Sequence, residues 1–412
     1  MTIINYFQNK KSEFFFLLVL AGVQFTHILD FMIIMPLGPQ LIKDLDINTH
    51  EFGLLISSYT FAAAISGLCA TYFIDRFERR KLLLILYSGF IISTLACGFA
   101  SNYKMLFLSR AVAGIFGGIL GSFVQTIVAD VIPYERRGKA IGTVLSAFSL
   151  ATVAGVPLGL FLSHAITALD WRAPFIFIAC FSVFIFFLCL TFIPKITAHL
   201  EYKNNEKNRF YQIFKLIINP EYLKGFLFIS LIMLAGFFVI PYIALYLTTN
   251  VGYLSSKIFL VYLCGGIATL ISSRFVGYLA DLFGKHKIFK YLAILSLFPI
   301  IVTTHLVPIS EWIILLDTTL FFVLVSGRIV PAMAILSQLV ESKNRGTFMS
   351  LVGSAQMFST GVASLFAGLI ISKNAEGLIL RYDYVGYFAA VFGLISFFLV
   401  DYMHPKYDEK SV

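Results

Sequence analysis

The sequence predicts an all-α membrane protein of twelve transmembrane helices in two six-helix bundles, on three observations. Of the 412 residues, 59% are hydrophobic and only 13% are charged, with mean hydropathy +0.87; soluble domains carry about 25% charged residues. Apolar runs near the length needed to cross a bilayer, about 20 residues, recur along the whole chain. A short charged turn at 70–81, ATYFIDRFERRK, returns in the second half at 276–287 as VGYLADLFGKHK, each closing the second apolar span of its half.

Taken in order, the spans of the first half are expected at about 14–36, 51–74, 82–100, 105–130, 140–164 and 174–194. The first run follows Lys10 and Lys11, is longer than a signal-peptide core, and leads through Pro36 and Pro39 into further spans. It therefore reads as a helix that stays in the membrane. The second half follows at about 225–249, 256–280, 288–308, 311–340, 347–371 and 384–402. Between the halves lies a polar stretch, EYKNNEKNR at 201–209, then an amphipathic piece at 210–217 that is expected to lie on the membrane surface. The domain reading is an N-terminal six-helix bundle at 1–194, a cytoplasmic linker at 195–224 and a C-terminal six-helix bundle at 225–412. A second echo, ERRGKAIG at 135–142 against KNRGTFMS at 343–350, follows the fourth span of each half. Duplicated helical halves are a transporter signature, with the binding site near the midplane between repeats.

Charge placement sets the expected orientation. With the N-terminus inside, 22 Lys and Arg fall in inner loops and tails, and six, namely Lys43, Lys104, Arg172, Lys257, Lys373 and Arg381, fall outside. Positive residues mark the cytoplasmic side, so both termini are expected there. The same placement accounts for the net charge of +9 without nucleic acid. The five cysteines sit in apolar runs with no C-x-x-C spacing, which argues against disulfides and metal. No P-loop is present to use ATP, and no H-E-x-x-H points to a membrane enzyme. No cofactor is expected.

The charged and polar residues within the spans are the candidate site, because an ionisable group in the membrane is costly and needs a function or a partner. Asp30 lies about two turns from the outer end of the first helix, and Arg110 about two turns in from the outer start of the fourth. Desolvation favours a neutral carboxyl and a neighbouring guanidinium favours a carboxylate. A pair whose spacing changes with conformation could therefore take up and release a proton; a static ion pair is the competing account. His27, one turn from Asp30, is either a proton relay or a hydrogen-bond partner. Gln24, Gln125 and Gln356 are candidate solute contacts. Asp317 and Arg328, both in the tenth span, are candidates to face a central cavity. Three turns separate them, and Arg328 has a second reading as a brace for the helix around Pro331. The 44 Phe and 20 Tyr single out no pocket.

The loop residues Gly277, Leu279, Ala280, Asp281, Gly284 and Lys285, echoed by Asp75, Arg76, Arg79 and Arg80, resemble the loop motif of the major facilitator superfamily. In the first copy Thr71 and Glu78 stand where that family usually has glycines. Arg110 with Gly114 and Gly117 resembles its fourth-helix motif. Gly155, Pro157 and Gly159 in AGVPLG resemble the fifth-helix motif of proton-coupled antiporters, departing from the usual adjacent Gly-Pro. DFMIIMPLGP at 30–39 and WRAPF at 171–175 are similar to the twelve-span drug:proton antiporter branch, with arabinose-efflux-permease-like members the nearest likeness. The resemblance implies a monomeric secondary transporter of the bacterial inner membrane, exchanging protons for a small organic molecule by alternating access. A proton symporter importing a nutrient such as an amino acid or peptide is the alternative. It further implies that Asp75 and Asp281 act in an inner-face latch and that the fifth-helix segment limits leakage; topology-setting and plain helix packing are the competing roles.

Overall fold

The computed structural model describes residues 10–197, 200, 214–341 and 344–403; the polar stretch 201–209 and residues 210–213 lie outside the described residues. The chain divides into two compact units, Met1–Ile33 with Ser58–Tyr211, and Ile34–Ser57 with Gln212–Val412.

In order, the helices are α1 (Lys10–Ile33), the short α2 (Gly38–Asp44), α3 (Thr49–Phe73), α4 (Arg79–Gly98) and α5 (Tyr103–Val131). The fifth span is α6 (Tyr134–Leu150) joined through a π-helical turn, Ala151–Gly155, to α7 (Val156–Ala165). Then come α8 (Ala173–Phe192) and a short helix α9 (214–218). The second half has α10 (Pro220–Phe237) running through a tight turn at Pro241 into α11 (Ile243–Thr249), then α12 (Ile258–Phe283) and α13 (Lys285–Thr304). Next, α14 (Glu311–Gly327) meets α15 (Ile329–Gln338) at Arg328, followed by α16 (Arg345–Ile370). A two-stranded antiparallel hairpin, β1 (Ser372–Lys373) and β2 (Ile379–Leu380), leads into α17 (Tyr382–Leu399). The protein is thus an all-α membrane protein of twelve spans. Among the described residues, eleven carry a stretch long and apolar enough to cross a membrane. The twelfth, α16, spans 26 residues but carries four Gly, four Ser and two Thr.

That composition follows from what holds helices together in lipid. Hydrocarbon is as apolar as Leu, so association relies on close approach at small residues and on hydrogen bonds between helices. Within the second unit, Ser57 donates to the Gly361 carbonyl at 2.8 Å and Thr49 to that of Ile371 at 2.8 Å. The Tyr242 hydroxyl lies 3.1 Å from the Ser364 carbonyl and 3.2 Å from that of Thr49. The large apolar side chains of this unit, among them Phe228, Phe289, Leu336 and Phe348, form its buried centre. In the first unit Phe16, Phe90, Phe123 and Ile127 do the same.

Helix ends are closed locally. Asn102 caps α5 by accepting from the Met105 amide, and Asn219 caps α10 by accepting from that of Glu221. Glu78, where the resembling loops have glycine, caps α4 by accepting from the Arg80 and Lys81 amides, and reaches the Ile196 amide at 3.0 Å. A glycine there would leave three amides without that acceptor.

Candidate functional site

The fourth-span glycines build the centre of the first unit. A Cβ on Gly114 would collide with the Tyr59 backbone, one on Gly117 with the Tyr59 hydroxyl, and one on Gly118 with the Ala63 backbone. Without side chains there, α3 lies directly on α5 and places the Tyr59 ring 4.4 Å from the Arg110 guanidinium. Phe175 lies 5.9 Å away on another side. Arg110 is fully enclosed, and so is Asp30. Its Nη1 donates to Asp30 Oδ2 at 2.8 Å and to the Asp30 carbonyl at 3.0 Å. Two charges that the sequence placed at similar depth on different helices are therefore one ion pair sealed by aromatic faces, an arrangement that favours Arg over Lys. Asp30 Oδ1 and two guanidinium nitrogens, Nε and Nη2, have no hydrogen-bond partner among the described residues. Buried Thr94 lies close to the same carboxyl, outside hydrogen-bond geometry.

His27 and Gln24 continue the Asp30 face of α1, both buried. Gly121 on α5 makes room for the His27 ring; a Cβ there would lie 3.2 Å from Nε2. Neither His27 Nδ1 nor Gln24 Oε1 has a partner among the described residues. Gln125, one turn along α5, donates to the Gly121 carbonyl at 3.4 Å. A chain of polar groups thus extends from the ion pair along the contact of α1 with α5. His27 is not among the hydrogen-bond partners of Asp30.

The fifth-span glycines face α1. A Cβ on Gly155 would lie 2.9 Å from Leu29 Cδ1, and one on Gly159 would lie 2.6 Å from Ile33 Cδ1. Spaced four apart, they form a small-residue seam that holds the Asp30 helix close. The π turn just before Pro157 takes up the missing backbone donor of the proline.

At the charged turn of the first unit, Arg79 is buried and binds three groups. Nη2 donates to Asp75 at 2.7 Å, Nε to Asp130 at 2.7 Å, and Nη1 to the Ile74 carbonyl at 2.8 Å. Asp130, at the end of α5, escaped the sequence reading: an acid at a span end costs little and so gave no signal. Arg76 packs over the Tyr72 ring. The second copy differs. Asp281 is exposed and in no ion pair among the described residues, and Lys285 is half-buried. Gly284 adopts φ +93°, which favours glycine. A Cβ on Gly277 would meet only Val330 Cγ1, at 3.9 Å.

In the second unit Asp317 is buried and accepts from Thr303 at 2.7 Å. Thr303, one of many span hydroxyls, was not legible. Gln356 lies 3.9 Å from Met333 Sδ. Arg328 is completely enclosed at the junction of α14 and α15, and its carbonyl accepts from the Ala332 amide beyond Pro331. Among the described residues no cluster of His, Cys, Asp and Glu could hold a metal ion.

A buried carboxylate–guanidinium pair within a duplicated set of twelve membrane helices is the architecture of a secondary transporter. The family model described as Major Facilitator Superfamily matches residues 20–331, and the chain belongs to that family of membrane transporters. It is 28% identical over 189 residues to a probable sugar efflux transporter of Mannheimia succiniciproducens, covering 46% of this chain and 47% of that one, so the match spans about half the relative's length. It is 27% identical over 393 residues to Multidrug resistance protein 1 of Bacillus subtilis, covering 91% and 92% of the two chains. Among solved structures, an inward-facing, occupied bacterial homologue of the human lysosomal transporter Spinster superposes with TM-score 0.77 at 15% identity, over 97% of this chain and 100% of that one; this likeness concerns the fold.

Proposed function

We propose that the protein is a proton-coupled exporter, exchanging protons for a small organic molecule across a bacterial inner membrane, as a monomer with both termini in the cytoplasm. The observation that carries this reading is the Asp30–Arg110 pair. Both groups are shut away from solvent, and one carboxylate oxygen has no hydrogen-bond partner among the described residues. Protonating Asp30 cancels the charge that Arg110 pairs with, so the proton and the ion pair compete for one carboxylate. A cycle that separates the pair on one side of the membrane and reforms it on the other moves a proton with each turn. Gln24, His27 and Gln125 line the adjoining polar strip, with His27 the proposed proton relay. Solute contacts are proposed at Gln24, Gln125, Asp317 and Gln356. The export direction draws on relatives whose names are sugar efflux transporter and multidrug resistance protein, and on the Gly155–Pro157–Gly159 seam. Asp75, Arg76, Arg79, Asp281 and Lys285 are the proposed inner-face gating residues.

The test is flux in proteoliposomes carrying an imposed pH gradient and a pH-sensitive dye, screened with a panel of sugars and lipophilic cations. Antiport predicts that adding a transported compound releases protons in the opposite direction. Asp30→Asn should abolish that coupling while leaving solute exchange at equal pH. Proton movement in the same direction as solute would replace export by symport, and full coupling in Asp30→Asn would overturn the assignment of the acid.

A further inference from the structure

The end of α16 and the start of α17 leave a groove of about 490 Å³ within the second unit, lined by Leu369, Ile370, Arg381, Tyr384 and Phe388. Arg381, Tyr384 and Phe388 are exposed and, spaced three and four apart, follow one face of α17. The last span starts at Tyr382, so this face runs into the membrane from a guanidinium, past a phenol, to an apolar ring. Phe388 is seven residues beyond Arg381, about 10 Å along a helix. The headgroup layer on each side of a bilayer is about 5–8 Å deep, so Arg381 stands among headgroups while Phe388 reaches the acyl chains. Leu369 and Ile370 form the apolar wall opposite.

The backbone fixes where Arg381 points. Asn250 holds strand β2 by donating to the Ile379 carbonyl and accepting from the Ile379 amide, each at 2.8 Å. Two residues later Arg381 adopts φ +65°, a left-handed conformation. The other non-glycine residues of positive φ among the described residues are Asp46 and Asp170, a type whose short polar side chain tolerates it. Arg has no such help, and a backbone outlier of this kind points to function. Among the described residues no acid forms an ion pair with Arg381. Asp383, two residues on, belongs to a different face of the helix.

We infer that this groove binds a phospholipid of net negative charge, its phosphate on the Arg381 guanidinium and one acyl chain along Leu369, Ile370 and Phe388. A guanidinium pairs its donors with phosphate oxygens. A zwitterionic lipid carries its own cation beside the phosphate, whereas phosphatidylglycerol leaves the phosphate charge for Arg381. A water-soluble anion would meet the same guanidinium but leave the apolar walls uncovered. The inference uses the span boundary alone and is independent of Asp30 and of the direction of transport.

The experiment places a fluorescent reporter in the groove of the full-length protein. Trp312, 79% exposed, is removed as Trp312→Phe, and Phe388→Trp supplies the reporter; Trp171 is fully buried and remains as a constant background. The protein is reconstituted in mixtures of phosphatidylglycerol and phosphatidylcholine with bromine on the acyl chains of one or the other. Brominated phosphatidylglycerol should quench more strongly at equal mole fraction, with a relative affinity of about fivefold, the preference one basic residue gives at an anionic surface. Adding Arg381→Asn, a residue that tolerates the left-handed backbone, should bring that ratio to about one. Equal quenching by the two lipids with Arg381 present, or an undiminished preference in Arg381→Asn, would overturn the site. Should the reporter variant fail to fold, native mass spectrometry of the wild type and Arg381→Asn in phosphatidylglycerol decides. One fewer retained lipid in the variant supports the site, and an equal number overturns it.

Discussion

Asp30 and Arg110 are each other's ion-pair partner, and neither exposes any side-chain surface. Removing one member of such a pair strands a charge, which costs roughly 3–5 kcal/mol, whereas replacing both by apolar groups of similar volume is often neutral. Asp30→Leu alone should therefore lower stability by about that amount, and Asp30→Leu with Arg110→Met should recover most of it. Unfolding midpoints of the two singles and the double form the cycle; proton-driven flux should be absent from all three. Recovery of stability without recovery of flux separates the pair's structural role from its transport role, while additive losses would show that the two residues do not act as a pair. The pair was legible in the sequence because an intramembrane charge is conspicuous and helix depth follows from counting turns. Tyr59, which covers the guanidinium, was not legible. It is one of 20 tyrosines, and its position depends on which glycines of α5 face α3, which has no signature in either helix alone.

The same glycine logic operates between elements. Gly159 stands against Ile33 with less room than a methyl group needs, and Gly155 against Leu29 is scarcely looser. Gly159→Val should push α1 away from α7, costing about 1–3 kcal/mol as overpacking does, and should weaken coupling because α1 carries Asp30. Its mirror control is Gly277→Ala, whose new methyl meets only Val330 and should change the midpoint little. Between α4 and the end of α5, Arg79→Met removes the cation that binds both Asp75 and Asp130. Both acids keep about a quarter of their side-chain surface exposed, so the loss should fall below the fully buried case, at about 1–3 kcal/mol. Asp281→Asn, with an exposed side chain and no ion pair among the described residues, should leave stability within about 0.5 kcal/mol. If it also leaves flux intact, the second loop acts on topology alone. Sequence repetition suggested equivalent roles for the two loops. The structure distinguishes them: in the first, Arg79 ties Asp75 to Asp130 at the end of α5, whereas Asp281 in the second is exposed and in no ion pair among the described residues.

At the scale of the whole molecule, the spans were read well and their contacts poorly, for one physical reason. The bilayer imposes a length and an apolar composition on every crossing segment, and both are visible in a single sequence. Helix contacts in lipid depend instead on small residues and shared hydrogen bonds, which leave composition almost unchanged. The Ser, Thr and Gly content of α16 is the exception, visible but ambiguous until Ser57 and Thr49 are seen donating to its carbonyls and to that of Ile371. Orientation is a proposal from the sequence, resting on 22 basic residues on one side against six on the other. A C-terminal fluorescent fusion should therefore be bright and a C-terminal phosphatase fusion inactive. Single cysteines at Lys104 and Lys257 should react with a membrane-impermeant maleimide in whole cells, and one at Lys139 only after permeabilisation. An inverted set of results would reverse the direction assigned to the proton cycle, since the end of α1 nearest Asp30 would then face the cytoplasm. A mixed set would mean that one predicted span does not cross, and the loop charges place that error at the first probe to disagree.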